Sequence, residues 1–294
     1  MSDPEDFLSD ALEVFYDYAP ITQSSAGSLF TYTLSQDTIQ RHGQSPPSQC
    51  PDLLTVTLKT PETQAANWAL HASSIWMSSL YMMDHLDDLR VEERILDLRR
   101  ESQDPLHVLE LGAGAGLPSI VLSKCYGDDV KVTASDYPDD VLIQSLRDNV
   151  DHNGASKNCS VIPHAWGADA LPLLSRTYRG GRDTDVGFDL ILAADTLWNP
   201  DCHILFLRTL QSTLRKTPSA RIWIIAALHT GKYTLRSFIE QLSSVGLEAE
   251  MVEEREVRGN QRRPWSVSVE DSEKDEDKER RKWVVCMSIK WIRV

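Results

Sequence analysis

A short apolar strand that runs into three alternating glycines, and from there directly into a helix, constrains this chain more than any other feature. Leu106-His107-Val108 leads into Leu109-Glu110-Leu111-Gly112-Ala113-Gly114-Ala115-Gly116, and the pattern predicts a helix over 117–126. Glycines let such a turn take left-handed angles and let a ligand approach the backbone closely. The helix start behind them leaves N–H groups and a positive dipole end facing that ligand. A dinucleotide fingerprint would place its third glycine at position 117, which is Leu117. Here the third glycine comes one residue early, and Glu110 stands two residues before the first. That acid adds negative charge where a pyrophosphate would sit, so it suits a cationic ligand better.

The rest of the chain continues the alternation. Strands are expected near 106–111, 130–135, 159–163, 188–194 and 221–228, and helices near 117–126, 139–152, 200–214 and 232–245. Such an order indicates a mostly parallel sheet covered by helices on both faces. Two further strands near 247–257 and 282–292 flank a charged run, 271–281, expected to be a solvated, mobile loop. Upstream, Leu54, Val56 and Leu58 alternate in a strand near 53–59 that Pro61 ends, and a helix is expected over 68–89. A Pro/Ser-rich break at 44–48 interrupts the first 50 residues.

Ligand chemistry belongs beyond the carboxyl ends of parallel strands. Asp136 ends the second strand of the alternating series, where an acid can accept hydrogen bonds from both ribose hydroxyls of an adenosine; the plain alternative is a surface turn residue. Asp195 follows the wholly apolar Leu190-Ile191-Leu192-Ala193-Ala194, with Trp198 three residues on. A carboxylate there can hold an amine hydrogen and help orient the lone pair, and an aromatic face can stabilise a partly cationic amine. As a helix cap Asp195 lies too early, whereas Asn199 before Pro200 fits that role.

Composition narrows the classes. The 294 residues carry a net charge of −14, which opposes binding to nucleic acid phosphates and is compatible with a basic protein partner. Five cysteines without a C-x-x-C pair read as reduced thiols of an intracellular, cytoplasmic protein. The acidic N-terminus lacks a signal-peptide core, and no segment approaches the roughly 20 apolar residues of a membrane span. The histidines and cysteines show no metal-ligand spacing. Asp84, Asp87 and Asp88 read as a solvated helix face.

The E-x-G-x-G-x-G pattern of Glu110 to Gly116 resembles motif I of class I S-adenosylmethionine-dependent methyltransferases. With Ser74-Ile75-Trp76-Met77-Ser78, Asp136-Tyr137-Pro138, Leu146-Arg147-Asp148-Asn149, Ala165-Trp166-Gly167 and Ala194-Asp195-Thr196-Leu197-Trp198 in order, the chain is similar to the family-16 seven-β-strand methyltransferases. Within them it most resembles the fungal nicotinamide N-methyltransferase-like branch. That branch includes the enzyme methylating the N-terminus and a nearby lysine of translation elongation factor 1-alpha. The resemblance implies a Rossmann-like α/β domain over 61–294, a seven-stranded sheet with a C-terminal antiparallel hairpin, and an N-terminal extension over 1–60. It implies S-adenosylmethionine held by Glu110, Gly112, Gly114 and Gly116 around its methionine part and ribose, and by Asp136 at the ribose. Tyr137 and Trp166 would flank the adenine, Trp76 would border the pocket, and Ala194 and Asp195 would face the methyl group. Trp76 and Trp166 have core packing as their alternative. The family's lysine enzymes carry acid-x-x-Tyr or acid-x-x-Phe where this chain ends in Trp198, a larger aromatic that narrows the acceptor site. A protein amine is the expected acceptor; a small nicotinamide-like acceptor, or a cofactor-binding module without turnover, stays open, and a dinucleotide oxidoreductase fits least.

Overall fold

The structure is a computed structural model that describes residues 22–35, 50–62, 70–101, 104–177, 186–228, 231–267 and 280–294. The break at 44–48 and most of the charged run 271–281 lie outside the described residues. β1 (Thr22–Gln23) pairs with β4 (Ile75–Trp76), and β2 (Leu29–Ser35) pairs antiparallel with β3 (Leu53–Lys59). In β3, Leu54, Val56 and Leu58 are buried and Leu53, Thr55 and Lys59 exposed, the alternation read from the sequence. Two helices follow, α1 (Met77–Asp84) and α2 (Val91–Glu101).

The helix expected over 68–89 therefore begins only at Met77. Trp76 is extended, with φ −82° and ψ 143°, because its backbone is used in the pairing with Thr22; residues 68 and 69 lie outside the described set. The acids of this segment also differ from expectation. Asp84 accepts a hydrogen bond from the Tyr32 hydroxyl at 2.7 Å, and Asp88 pairs with the buried Arg255 guanidinium, leaving Asp87 alone of the three exposed.

The alternating region then builds the main sheet. β5 (Leu106–Leu111), α3 (Leu117–Tyr126), β6 (Val130–Asp136), α4 (Asp140–His152) and β7 (Cys159–Pro163) form one half. The short α5 (Leu171–Leu174) leads to β8 (Leu190–Ala194), α6 (His203–Thr213), β9 (Arg221–Ala227), α7 (Lys232–Gln241), β10 (Leu247–Glu256), β11 (Arg262–Pro264) and β12 (Trp283–Trp291). The eight strands lie in the order β11-β10-β12-β9-β8-β5-β6-β7. From β9 to β7 all pairs are parallel, and β12 is antiparallel to both β9 and β10. This is the expected Rossmann-like sheet and antiparallel hairpin, with one short edge strand, β11, added.

Alternate residues of each central strand serve opposite faces. Leu106 and Val108 of β5, with Leu190 and Leu192 of β8, join a core with α1, α3 and α4. Leu109 and Leu111, with Ile191 and Ala193, join a second core with α6 and α7. Glu110 shares the parity of Val108, which turns its carboxylate toward α3.

The expectation of reduced thiols is overturned at one pair. Cys50 and Cys125 form a disulfide across 75 residues, joining the segment before β3 to α3, while Cys159, Cys202 and Cys286 are free. No helix among the described residues is long and apolar enough to cross a membrane.

Candidate functional site

Chain reversal at the carboxyl end of β5 is done by glycine alone: Gly112, Gly114 and Gly116 have φ of 70°, 53° and 86°. Left-handed angles cost other residues about 1–2 kcal/mol each. The three differ in surroundings. A Cβ on Gly112 would lie 2.9 Å from Thr196 Cγ2, and one on Gly116 would lie 2.5 Å from Leu146 Cδ1, whereas one on Gly114 would meet nothing within 4 Å. Gly112 and Gly116 are thus packing glycines, and Gly114 opens onto a cleft of about 450 Å³. Gly116 also caps α3, whose first turn carries Pro118.

Two buried carboxylates stand around this loop. Glu110 accepts hydrogen bonds from the Ser119 backbone N–H at 2.9 Å and from the Ser119 hydroxyl. Burial pushes its pKa up to about 8, against the opposing pull of the Ser119 bonds. Asp136, at the end of β6, accepts from the N–H groups of Gly114 and Tyr137, both at 2.6 Å. Its pKa is pushed up to about 6, again by burial. Asp136 therefore holds the glycine loop in place and still faces the cleft.

Beside the loop, the end of β8 lines the same cleft. Asp195 turns the chain out of the strand with φ 53°, a left-handed angle that Asp tolerates better than most residues. Its N–H donates to the Ile225 carbonyl at 2.9 Å, and its Oδ1 accepts from the Ala227 N–H at 2.8 Å. The residue thus anchors the end of β8 to β9 while lining the cleft. Beyond it, Asn199 caps the 3-10 turn Pro200–Cys202 by accepting from the Asp201 N–H at 3.0 Å, as the sequence suggested.

All the residues singled out in the sequence line this one cleft: Trp76, Glu110, Gly112, Gly114, Gly116, Asp136, Tyr137, Trp166, Ala194, Asp195 and Trp198. Trp166 packs on Phe206, with 4.7 Å between ring centroids, and also lines the cleft. Trp76 donates its indole N–H to the His71 carbonyl at 2.7 Å. His71 and His164 line the cleft too, and neither was singled out. The His71 ring lies edge-on to Trp198, with 4.9 Å between centroids, in a non-helical stretch before β4 where the sequence pattern predicts a helix. His164 directly follows β7 and donates its N–H to the Asp136 carbonyl at 2.8 Å; the strand-end rule that found Asp136 and Asp195 would have found it.

A family model described as lysine methyltransferase matches residues 57–245, from β3 to the turn after α7. The chain belongs to this lysine methyltransferase family. Among family relatives, the protein N-terminal and lysine N-methyltransferase EFM7 of Debaryomyces hansenii is 34% identical over 146 residues, covering 48% of this chain and 52% of that protein. Its namesake in Cryptococcus neoformans is 40% identical over 111 residues, 37% of this chain and 35% of that one. In Eremothecium gossypii the identity is 31% over 189 residues, 61% and 64% of the two chains. This family member thus spans about half the length of the relatives it matches.

Two expected results follow from the geometry of this methyltransferase-family cleft. Gly114→Ala should keep the fold, lowering stability by about 1–2 kcal/mol through its left-handed angle, yet weaken S-adenosylhomocysteine binding by more than about tenfold, since its methyl group occupies the cleft. Gly116→Ala should instead show its main effect in thermal melting, through the clash with Leu146. Calorimetric titration and melting curves separate the two. The second result concerns Glu110. Its folded pKa, about 8, lies above its unfolded value, so the folded chain binds the extra proton in between. The stability this contributes is complete below the unfolded pKa and lost as pH rises through about 8. Glu110→Gln, which keeps an acceptor for Ser119 but cannot titrate, should flatten the fall in melting temperature between about pH 6 and 8 relative to wild type. Parallel pH profiles of the two proteins would show that Glu110 stays ionised.

Proposed function

We propose that this chain is an S-adenosylmethionine-dependent N-methyltransferase acting on the N-terminal amine or a lysine of a protein. The observation that carries the reading is the placement of Asp195 and Trp198 in one cleft with the Glu110–Gly116 loop and Asp136. The cleft fits the cofactor: an open face over Gly114, two buried carboxylates and flanking aromatic rings. When bound, S-adenosylmethionine supplies a methyl group already activated by its positively charged sulfur.

Within this reading, Glu110 and the glycine loop hold the methionine part and ribose, Asp136 accepts from the ribose hydroxyls, and Tyr137 and Trp166 flank the adenine. Trp76 borders the pocket, and Ala194 closes the strand end beneath the methyl position. Asp195 holds a hydrogen of the acceptor amine and turns the nitrogen lone pair toward that position, and the Trp198 face shields the site from water. Residues 61–294 form the catalytic domain and 1–60 its extension. The relatives named for protein N-terminal and lysine methylation support a protein acceptor. Translation elongation factor 1-alpha is the acceptor suggested by the resemblance, and the cytoplasm is the compartment proposed with it. The contact of Trp198 with His71 favours a second reading, a small nicotinamide-like acceptor, because the two rings narrow the mouth.

Incubation with radiolabelled S-adenosylmethionine and size-fractionated cell extract tests the proposal. Label in one protein band, lost in the Asp195→Asn variant, is the expected result. Label confined to small molecules would replace it with the second reading, and cofactor binding without any label would leave a non-catalytic module.

A further inference from the structure

We propose that Asn149 is a positioning residue for the glycine loop, fixing the Ala115–Gly116 peptide to the β2–β3 hairpin. The inference rests on the reading of that loop as the cofactor cradle. Asn149 is buried on α4, and its carboxamide makes three hydrogen bonds to backbone groups. Its Oδ1 accepts from the Lys59 N–H at 2.8 Å. Its Nδ2 donates to the Lys59 carbonyl at 2.9 Å and to the Ala115 carbonyl at 3.0 Å. The two Lys59 contacts imitate a neighbouring β-strand, and they fix which end of the amide is oxygen, because a flipped amide would set like groups together.

Four residues on, at the C-cap of α4, Asn153 repeats the device. Its Oδ1 accepts from the Thr57 N–H at 3.0 Å, and its Nδ2 donates to the Thr57 carbonyl at 2.8 Å. Residues i and i+2 of a strand repeat at about 6.7 Å and a helical turn rises about 5.4 Å, close enough for two amides on one helix face to serve one strand edge. The two asparagines differ in their remaining bond. Asn153 Nδ2 donates to the Asn149 carbonyl at 2.8 Å, within its own helix. Asn149 alone of the two reaches the glycine loop.

That contact falls on a peptide with no freedom left. On its other side, the Gly116 N–H donates to the Ala113 carbonyl at 2.7 Å. In a trans peptide the C=O and N–H point opposite ways, so the two bonds together prevent the plane from rotating. The plane lies between Gly114, which opens onto the cleft, and α3, whose first turn faces it. Among the described residues, the hairpin contributes nothing to the cleft lining, and it acts on the loop through the Asn149 side chain.

Aspartate at either position tests this in the full-length protein. Asn149→Asp keeps an oxygen for the Lys59 N–H but can donate to neither carbonyl. Asn153→Asp makes the same change of charge on the same helix and strand edge without touching the loop. S-adenosylhomocysteine, whose sulfur is uncharged, serves as the titrant, with hydrogen exchange as a second readout. Asn149→Asp should weaken binding about tenfold, the loss of one buried hydrogen bond, and speed exchange over 112–117. Asn153→Asp should speed exchange over 53–59 and change binding by less than about threefold. Equal losses of affinity in the two variants, or none in Asn149→Asp, would overturn the proposal. If either aspartate variant fails to fold, Asn149→Ala and Asn153→Ala are compared by the same criteria. Wild-type protein that does not bind S-adenosylhomocysteine would overturn the cofactor reading itself.

Discussion

Asp136→Ala should weaken S-adenosylhomocysteine binding by about a hundredfold or more while the chain stays folded. The magnitude comes from two ribose hydroxyls losing a charged acceptor, at about 1.5 kcal/mol or more each. The loop contributes as well, because Asp136 also receives the N–H of Gly114 at 2.6 Å. Asp136→Asn separates the two effects: it keeps an oxygen for Gly114 but loses the charge and one ribose acceptor. It should fall between wild type and Asp136→Ala in affinity, with a melting temperature nearer wild type. Titration calorimetry supplies the dissociation constants. An affinity within about threefold of wild type in Asp136→Ala would remove this carboxylate from the ribose site.

Turnover should respond to the end of β8. Asp195→Asn preserves size, tolerance of the left-handed angle and an oxygen for the Ala227 N–H, and removes only the charge. A loss of about 10²-fold or more in kcat, with cofactor affinity changed less than about threefold, is expected if the carboxylate orients the amine. Asp195→Ala removes the β8–β9 anchor too, so its lower turnover should come with a stability lower by about 1–3 kcal/mol, seen as a lower melting temperature. Full turnover in Asp195→Asn would confine the residue to its anchoring role. Equal losses of cofactor affinity in Asp136→Ala and Asp195→Ala would overturn the division between the two carboxylates.

The parts of this protein visible in its sequence are those whose cause is local. β8 is a wholly apolar, largely buried strand, so it reads as a continuous apolar run, and the acid that follows it, Asp195, stands out. The glycine loop is equally plain, since three left-handed positions demand glycine at fixed spacing. β2 was overlooked although Phe30, Tyr32 and Leu34 alternate along it; its pairing with β3 spans a long connection whose Pro/Ser-rich break at 44–48 reads as a boundary and not as a hairpin turn. Trp76 looked helical because the apolar pattern of α1 extends through it, yet a two-residue pairing with β1 holds it extended. Asp88 looked solvated because Arg255, its partner, is 167 residues away. Asn149 was visible only as part of a family motif, and Asn153 not at all, for a related reason: an amide that substitutes for a strand leaves no periodicity in either partner.

The position of β12 has a consequence for how the chain is made. It follows every other strand in the sequence, yet it lies between β9 and β10, pairing over Val284–Ile289 with one and Trp283–Trp291 with the other. During synthesis, β9 and β10 leave the ribosome before the strand that separates them exists. Until it arrives, each keeps an edge of N–H and C=O groups with no native partner, the condition under which strands pair wrongly. The cleft, built on β5, β6 and β8, lies on the earlier-made half of the sheet. A nascent chain can therefore assemble its ligand site before its sheet is complete, and a ligand that seats there early would favour the correct half while the other waits for its middle strand.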